Sequence, residues 1–294
     1  MYNATFMVNL WNAIATKDAR LLRIDQSRLT PTLQGTWINY ARCHDDIGWG
    51  FNEQAILDMG FSPFEHKQFL IQFYLGTHPY SFAKGKLYEF NPITLDARNS
   101  GRLASLVGLE KAQQLKDRYQ YELALKRIHL LHAVLLSSKG IPFIYSGDEL
   151  ATINDESYLN DPKKAHDSRW LHRSSFNWTN AKSKNKKDTP EGAVFTTLQQ
   201  MIQIRKNLPI LHSSVHEYYI DTYHSSLYMT LRVLENESFI GLFNFSDHPQ
   251  SLTLQPILPP QAYGTYQDVF QSRLIHTEDD FTVGPLEYYW LKTV

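Results

Sequence analysis

The stretch Ile38-Asn39-Tyr40-Ala41-Arg42-Cys43-His44-Asp45-Asp46-Ile47-Gly48-Trp49 begins as an aromatic and β-branched strand and runs into a polar cluster. Residues such as Trp37, Ile38 and Tyr40 favour extended backbone, whereas His44, Asp45 and Asp46 favour a turn. A second run behaves alike. Ile141-Pro142-Phe143-Ile144-Tyr145 is a short apolar strand whose proline lies near its start, and it ends in Gly147-Asp148-Glu149. Short strands that run into polar residues are the way (β/α) barrels present active-site groups, at the C-terminal ends of parallel strands.

Upstream of the first strand, Phe6, Leu10, Ile14, Leu21 and Leu22 recur near the helical period, and a loop follows around Pro31 and Gly35. Downstream, residues 47–110 are rich in Gly, Pro and aromatics, with one short helix expected over 64–74. A connection of that length in a compact domain is commonly functional. A long helix is expected over 110–138, with Leu125, Ile128, Leu131 and Leu135 on one stripe and Gly140 and Pro142 as its stop. A polar, Lys-rich loop over 154–188 leads to a further helix carrying Val194, Leu198, Met201 and Ile202, which Pro209 ends.

After Pro209 the period changes from 3.6 to 2. Leu227, Met229, Leu231 and Val233 alternate with other residues, Glu235-Asn236 turns the chain, and Phe239 to Phe245 returns as a second strand. Further strands are expected over 251–255, 281–283 and 287–292. The spacing therefore predicts an α/β part over 1–208 and an antiparallel β-domain, a sandwich, over 209–294.

Composition excludes several classes. Among 294 residues the formal net charge is −1, which argues against a general nucleic-acid binder. With 43% hydrophobic and 13% aromatic residues the chain has ample surface to bury, and its apolar runs are far too short to span a membrane. A single cysteine, Cys43, rules out an internal disulfide framework. The N-terminus lacks a basic region and a clean apolar core, so a cytoplasmic protein is expected. No metal motif, no Gly-rich phosphate loop and no cofactor signature emerges, and the run Lys182 to Lys187 reads as a solvated loop.

Several residues could carry chemistry. A carboxylate beside an imidazole at a strand end, as in His44-Asp45, can hydrogen-bond vicinal hydroxyls, while Asp46 can face a neighbouring subsite. The same residues also suit a plain turn in which Asp caps an amide and His44 is simply exposed. Asp148 and Glu149 could form an acid/base pair, but neighbours on one strand point to opposite faces, which favours a structural role. Arg169, in Asp167-Ser168-Arg169-Trp170, suits either a site or a surface ion pair. The aromatics of the long loop, among them Trp49, Tyr74, Tyr80, Phe82 and Phe90, suit stacking on sugar rings or a local core.

Taken together, the run Ile38 to Trp49 resembles the fourth motif of glycoside hydrolase family 13 in the form characteristic of amylosucrases. The resemblance continues through Ser81-Phe82-Ala83-Lys84-Gly85, Ala97-Arg98-Asn99-Ser100-Gly101, Gly140 to Glu149 and Asp167-Ser168-Arg169-Trp170-Leu171-His172-Arg173, in order along essentially the whole chain. It implies that His44 and Asp45 grip the 2- and 3-hydroxyls of a glucosyl unit. Asp45 would be the family's carboxylate that stabilises the oxocarbenium-like transition state. It further implies that Asp46 faces the acceptor side, that Arg98 lines acceptor subsites, and that Arg169 closes the glucosyl pocket through a salt bridge to an aspartate. Residues 47–110 would be the inserted acceptor-side subdomain. Cys43 and Lys84 depart from the usual serine and arginine.

The resemblance also implies what the chain lacks. A retaining enzyme of this family needs an aspartate nucleophile and a glutamate acid/base, and both match positions upstream of Met1, as does the aspartate partner of Arg169. A whole barrel takes about 250 residues. The expectation is thus a partial (β/α)8 barrel, about strands seven and eight with helices six to eight, followed by the β-domain. Such a chain would be the C-terminal portion of a transglucosidase using sucrose and an α-glucan acceptor, inactive alone, with a separately encoded N-terminal barrel portion as an expected partner. The alternatives are an α-glucosidase or trehalose-forming relative, and a non-catalytic glucan-binding or regulatory module.

Overall fold

The computed structural model describes residues 1–29 and 35–294; Pro31 of the expected loop lies outside them. Among these residues the helices are α1 (Ala4–Thr16), α2 (Arg20–Arg28), α3 (Glu53–Asp58), α4 (Pro63–Leu75), α5 (Leu103–Leu106), α6 (Leu109–Leu115), α7 (Arg118–Ser137), α8 (Trp178–Ala181) and α9 (Pro190–Asn207). The strands are β1 (Ile38–Tyr40), β2 (Lys86–Tyr88), β3 (Arg98–Ser100), β4 (Ile141–Phe143), β5 (Glu217–Ile220), β6 (Leu227–Leu234), β7 (Glu237–Asn244), β8 (Gln250–Thr253), β9 (Thr265–Asp268), β10 (Leu274–His276), β11 (Asp280–Val283) and β12 (Tyr288–Thr293). The chain divides into two compact units. Met1–Asn39, Leu130–Phe143 and Gln200–Val294 make the first; Tyr40–His129 and Ile144–Gln199 make the second. No described helix is long and apolar enough to cross a membrane.

In the first unit, Asn3 caps α1 by accepting from the Phe6 amide (3.1 Å) and donates to Asn39 Oδ1 (2.9 Å), which ties the helix start to β1. The helix stops at Lys17, whose φ is 59°, and Asp18 accepts from the Arg20 amide (2.9 Å) as α2 begins. The stripe Phe6, Leu10, Ile14, Leu21 and Leu22 is thus shared by two helices, every member buried. β1 pairs with β4, and Tyr2 bridges Ile38 in parallel. Ile141 and Phe143 of β4 are 52% and 40% exposed, so an apolar strand face stands open to solvent.

The same unit holds a six-stranded antiparallel sheet in the order β10-β9-β12-β7-β6-β5. β6 and β7 form the expected hairpin, Val233 opposite Ser238 and Met229 opposite Leu242, with Glu235 at φ 54° in the turn. Leu227, Met229 and Leu231 join Ile240 and Leu242 in one core with Leu252 of β8 and Phe281 and Val283 of β11. The intervening residues Tyr228, Thr230 and Arg232 are buried too. Both faces of β6 are therefore dry, and alternation there separates two interiors. Arg232 is tolerated inside because Glu217 lies 3.2 Å away and the Ser137 carbonyl accepts from it at 2.7 Å. Arg205 of α9 donates to the carbonyls of Leu136, Ser138 and Gly140. Two guanidiniums thus satisfy carbonyls that the end of α7 would otherwise leave unpaired.

The second unit differs from the expected long loop and unbroken helix. Residues 47–110 contain α3, α4, a β2–β3 hairpin and α5. The single helix expected over 110–138 is two, because Lys116 adopts φ 54° and Asp117 accepts from the Gln120 amide to start α7. Trp49 stacks on Tyr74 at 5.4 Å and donates to Asn99 Oδ1 (2.8 Å), and Phe73 meets Phe82 edge-on. These aromatics form a local core, whereas Tyr80 and Phe90 remain exposed. Gly85 is required by close approach: a Cβ there would stand 2.5 Å from the Tyr74 carbonyl and 2.8 Å from that of Ser100. Lys84 pairs with the buried Glu110 at 2.5 Å.

Candidate functional site

After Tyr40 the second unit buries Arg42 completely, and its guanidinium shapes the turn that follows. Nε donates to the Gly101 carbonyl (3.0 Å) and Nη2 to the Asp45 carbonyl (2.8 Å). Burial pulls its pKa below the ordinary guanidinium value, against the pull of Cys43, Asp148 and Asp46. The Asp45 amide points at Cys43 Sγ (3.4 Å), and burial pushes that thiol up. Held from below in this way, the turn presents His44 and Asp45 outward, both exposed, while Asp46 folds inward.

Two arginines approach the Asp45 carboxylate. Arg173 Nη2 lies 3.3 Å from Oδ1, and Arg173 Nε donates to the His44 carbonyl at 2.7 Å. One planar fork therefore fixes both the backbone and the acid. Arg169 Nη1 lies 3.6 Å from the same Oδ1. The resemblance implies an aspartate partner for Arg169 upstream of the chain; the carboxylate it grips here is Asp167, with Nε to Oδ1 at 3.0 Å and Nη2 to Oδ2 at 2.9 Å. That pair holds the Asp167 carboxyl below its usual range and raises the Arg169 guanidinium further. Arg169 also lies over the Tyr88 ring, 4.4 Å from its centre.

The remaining two residues meet each other. The nearly buried Asp46 Oδ2 is 3.4 Å from Arg98 Nη1, which is also 3.5 Å from Glu89. His44, Asp45, Arg169 and the Asp46–Arg98 pair all belong to the second unit.

A deeper layer, of which the sequence singles out only Asp148 and Glu149, lies beneath. His172 is fully buried and its Nε2 lies 3.1 Å from the His44 carbonyl. A carbonyl only accepts, so Nε2 carries the proton; burial, then Arg42, pushes the imidazole pKa down to about 2. Tyr145 donates to the His172 carbonyl (3.0 Å), and Arg102 sits over the Tyr145 ring while donating to Ser146 and Ser174. Asp148 and Glu149 lie on a 3₁₀ turn rather than on a strand. Glu149 accepts from the Gly147 amide (2.7 Å), while Asp148 is buried and its carboxyl is pushed up to about 7, chiefly by desolvation. The sequence signals for this layer are the Asp148-Glu149 pair, for which a structural role is favoured, and the presence of His172 in the Asp167 to Arg173 motif. Arg42 and Arg102 gave none, since an arginine reads as surface.

This arrangement suits a polyhydroxylated ligand: an open carboxylate accepts from hydroxyls, and two guanidiniums and an imidazole stand beside it. Among the described residues no group of three or more His, Cys, Asp or Glu could hold a metal ion.

No family model matches the chain. Among solved structures it is similar to AmyP in complex with maltose, at 11% identity and a TM-score of 0.60, over 99% of this chain and 49% of that one. An AmyP variant in complex with maltotriose aligns at 11% identity and a TM-score of 0.57, over 97% and 48%. Sucrose 6F-phosphate phosphorylase from Thermoanaerobacter thermosaccharolyticum aligns at 13% identity and a TM-score of 0.59, over 83% of this chain and 43% of that one. The chain thus spans about half the length of the structures it matches. At such identities the likeness is one of fold, and at that level it agrees with the resemblance to glycoside hydrolase family 13.

Proposed function

We propose that this chain carries the glucosyl-gripping and acceptor-facing portion of an amylosucrase-like transglucosidase of glycoside hydrolase family 13. The reading is carried by one observation: the exposed Asp45 carboxylate is aimed by Arg173 and flanked by Arg169 beside the exposed His44. A carboxylate so held accepts hydrogen bonds from the 2- and 3-hydroxyls of a glucosyl unit. Those bonds strengthen as positive charge develops at the anomeric carbon, which is the differential binding a retaining glycosyl transfer requires. His44 takes the neighbouring hydroxyl, and Asp46 with Arg98 orients the acceptor. Sucrose is the donor in this reading and an α-glucan the acceptor.

The nucleophilic aspartate and the acid/base glutamate of that cycle match no residue of this sequence, so the chain alone binds glucan without turning sucrose over. β1 and β4 are read as neighbouring barrel strands. The open apolar face of β4, with Ile141 and Phe143, suits contact with further barrel strands supplied by an N-terminal portion.

Two measurements on the purified chain test this. Calorimetric titration with maltotriose is expected to give binding that Asp45→Asn weakens about tenfold, the loss expected of one charge-assisted hydrogen bond; absence of binding overturns the site. Incubation with sucrose is expected to release no fructose, and release by the chain alone overturns the claim of incompleteness.

A further inference from the structure

A cavity of about 330 Å³ lies within the first unit, bordered by α2, by Trp37 ahead of β1, by Lys139 ahead of β4 and by β5. None of its residues belongs to the site around Asp45, so glucan binding gives it no task. Its volume falls in the range of small-ligand pockets. Gln26 of α2 lines it and is only 4% exposed, yet its Nε2 has no hydrogen-bond partner among the described residues. Buried polar groups are otherwise satisfied almost without exception. A buried amide that borders a cavity with its N–H groups unpaired is a donor set for an acceptor in that cavity.

The other walls decide which acceptor fits. Lys139 donates its amide to Glu217 (3.0 Å) and its carbonyl accepts from Asn39 (2.8 Å), while its ammonium joins no ion pair among the described residues. Glu217, also on the wall, is answered by Arg232, by that amide and by the Tyr219 hydroxyl. The uncompensated charge at the cavity is therefore positive, and a lysine ammonium is an effective point-charge partner for phosphate. Ser27 and Tyr219 donate their hydroxyl protons to the Ile24 carbonyl and to Glu217, so towards a ligand their oxygens only accept. Ligand hydroxyls supply the matching donors. Tyr218 is half exposed and stands edge-on to His216 at 4.4 Å, and with Trp37 it offers aromatic faces suited to the C–H face of a sugar ring.

We propose that this cavity is a second ligand site, for a hexose phosphate. The Lys139 ammonium and the Gln26 amide meet its phosphate, Tyr218 and Trp37 meet its ring, and Ser27 and Tyr219 accept from its hydroxyls. The site stands whether or not the Asp45 turn binds glucan, since the two share no residue.

Glucose 6-phosphate is the probe, titrated into the whole chain and followed by calorimetry and by the side-chain NH2 resonances of Gln26. Saturable binding that moves the Gln26 resonances is expected. Lys139→Gln is expected to weaken it about tenfold, the loss of one charge-assisted hydrogen bond. Gln26→Met, which keeps the length of the side chain and removes the amide, is expected to weaken it about fivefold. Glucose and inorganic phosphate are each expected to bind at least about tenfold more weakly than the ester, since each lacks half of the contacts. Absence of binding overturns the proposal, as does binding that leaves the Gln26 resonances unmoved or that is indifferent to both substitutions. Glucose or inorganic phosphate that matches the ester also overturns it, because the cavity would then take a neutral sugar or a bare anion.

Discussion

Arg232 and Glu217 form an ion pair at 3.2 Å with neither side chain open to solvent. Glu217 also accepts from the Lys139 amide and the Tyr219 hydroxyl, both at 3.0 Å, so one carboxylate serves three donors. Removing it strands a guanidinium, an amide and a phenol at once. Glu217→Gln is therefore expected to destabilise the first unit by roughly 3–5 kcal/mol, the range for breaking one side of a buried pair. Arg232→Met with Glu217→Gln should cost less than the sum of the single changes. Urea unfolding of the four proteins measures this; additive losses would show that the two residues act independently.

Arg173 bridges the His44 carbonyl and the Asp45 carboxylate with different nitrogens of one fork. A lysine ammonium cannot reach both at once. Arg173→Lys is expected to weaken maltotriose binding about fivefold while changing stability by less than about 1 kcal/mol, because its partners are at the surface. Combined with Asp45→Asn the losses should be less than additive, since the second change removes what the first was aiming. Titration calorimetry on the two single variants and the double variant decides it.

Gly85 sits where two backbone carbonyls, of Tyr74 and Ser100, close on its α-carbon. Neither can yield without moving α4 or the β2–β3 hairpin. Gly85→Ala is expected to destabilise by roughly 1–3 kcal/mol, as overpacking does. Thermal unfolding that left the transition unmoved would show that this hairpin shifts freely.

How far these features could be read in advance depended on the kind of signal each carries. The β6–β7 hairpin was legible because Leu227, Met229, Leu231 and Val233 keep a period of two across a polar turn. β5, β9 and β10 are three or four residues long and mix Tyr, Gln, Asp and His, so they show no period. The break between α6 and α7 rests on a lysine in the left-handed region, a conformation that side-chain type does not announce. His44, Asp45 and Asp46 stood out as polar residues at a strand end. Asp148 stood out beside Glu149, with a structural role favoured; Arg42 and Arg232 did not, because a charged residue is buried only when partners distant in sequence neutralise it, and Glu217 and Ser137 are such partners for Arg232. Local pattern reaches the turn; it does not reach the charges beneath it.

His172 and Asp148 give the second unit two opposing pH dependences. His172 has its pKa lowered from 6.5 to about 2, so its contribution to stability is present above pH 6.5 and lost as pH falls. Asp148 has its carboxyl raised from 3.8 to about 7, so its contribution is full below pH 3.8 and lost as pH rises through about 7. Between those limits one folded-state group refuses a proton while the other keeps one, and the two slopes nearly cancel. Desolvation is the larger cause for Asp148, so protonation favours the folded unit as a whole. The unmodified chain is accordingly expected to show a flat stability profile from pH 4.5 to 6. Asp148→Asn unmasks His172, and stability should then fall with acidification by up to about 1.4 kcal/mol per pH unit. His172→Gln unmasks Asp148, and stability should rise as pH falls from 7 towards 4. Denaturant unfolding of the three proteins across this range supplies the check, and parallel profiles would mean that neither group titrates as its burial requires.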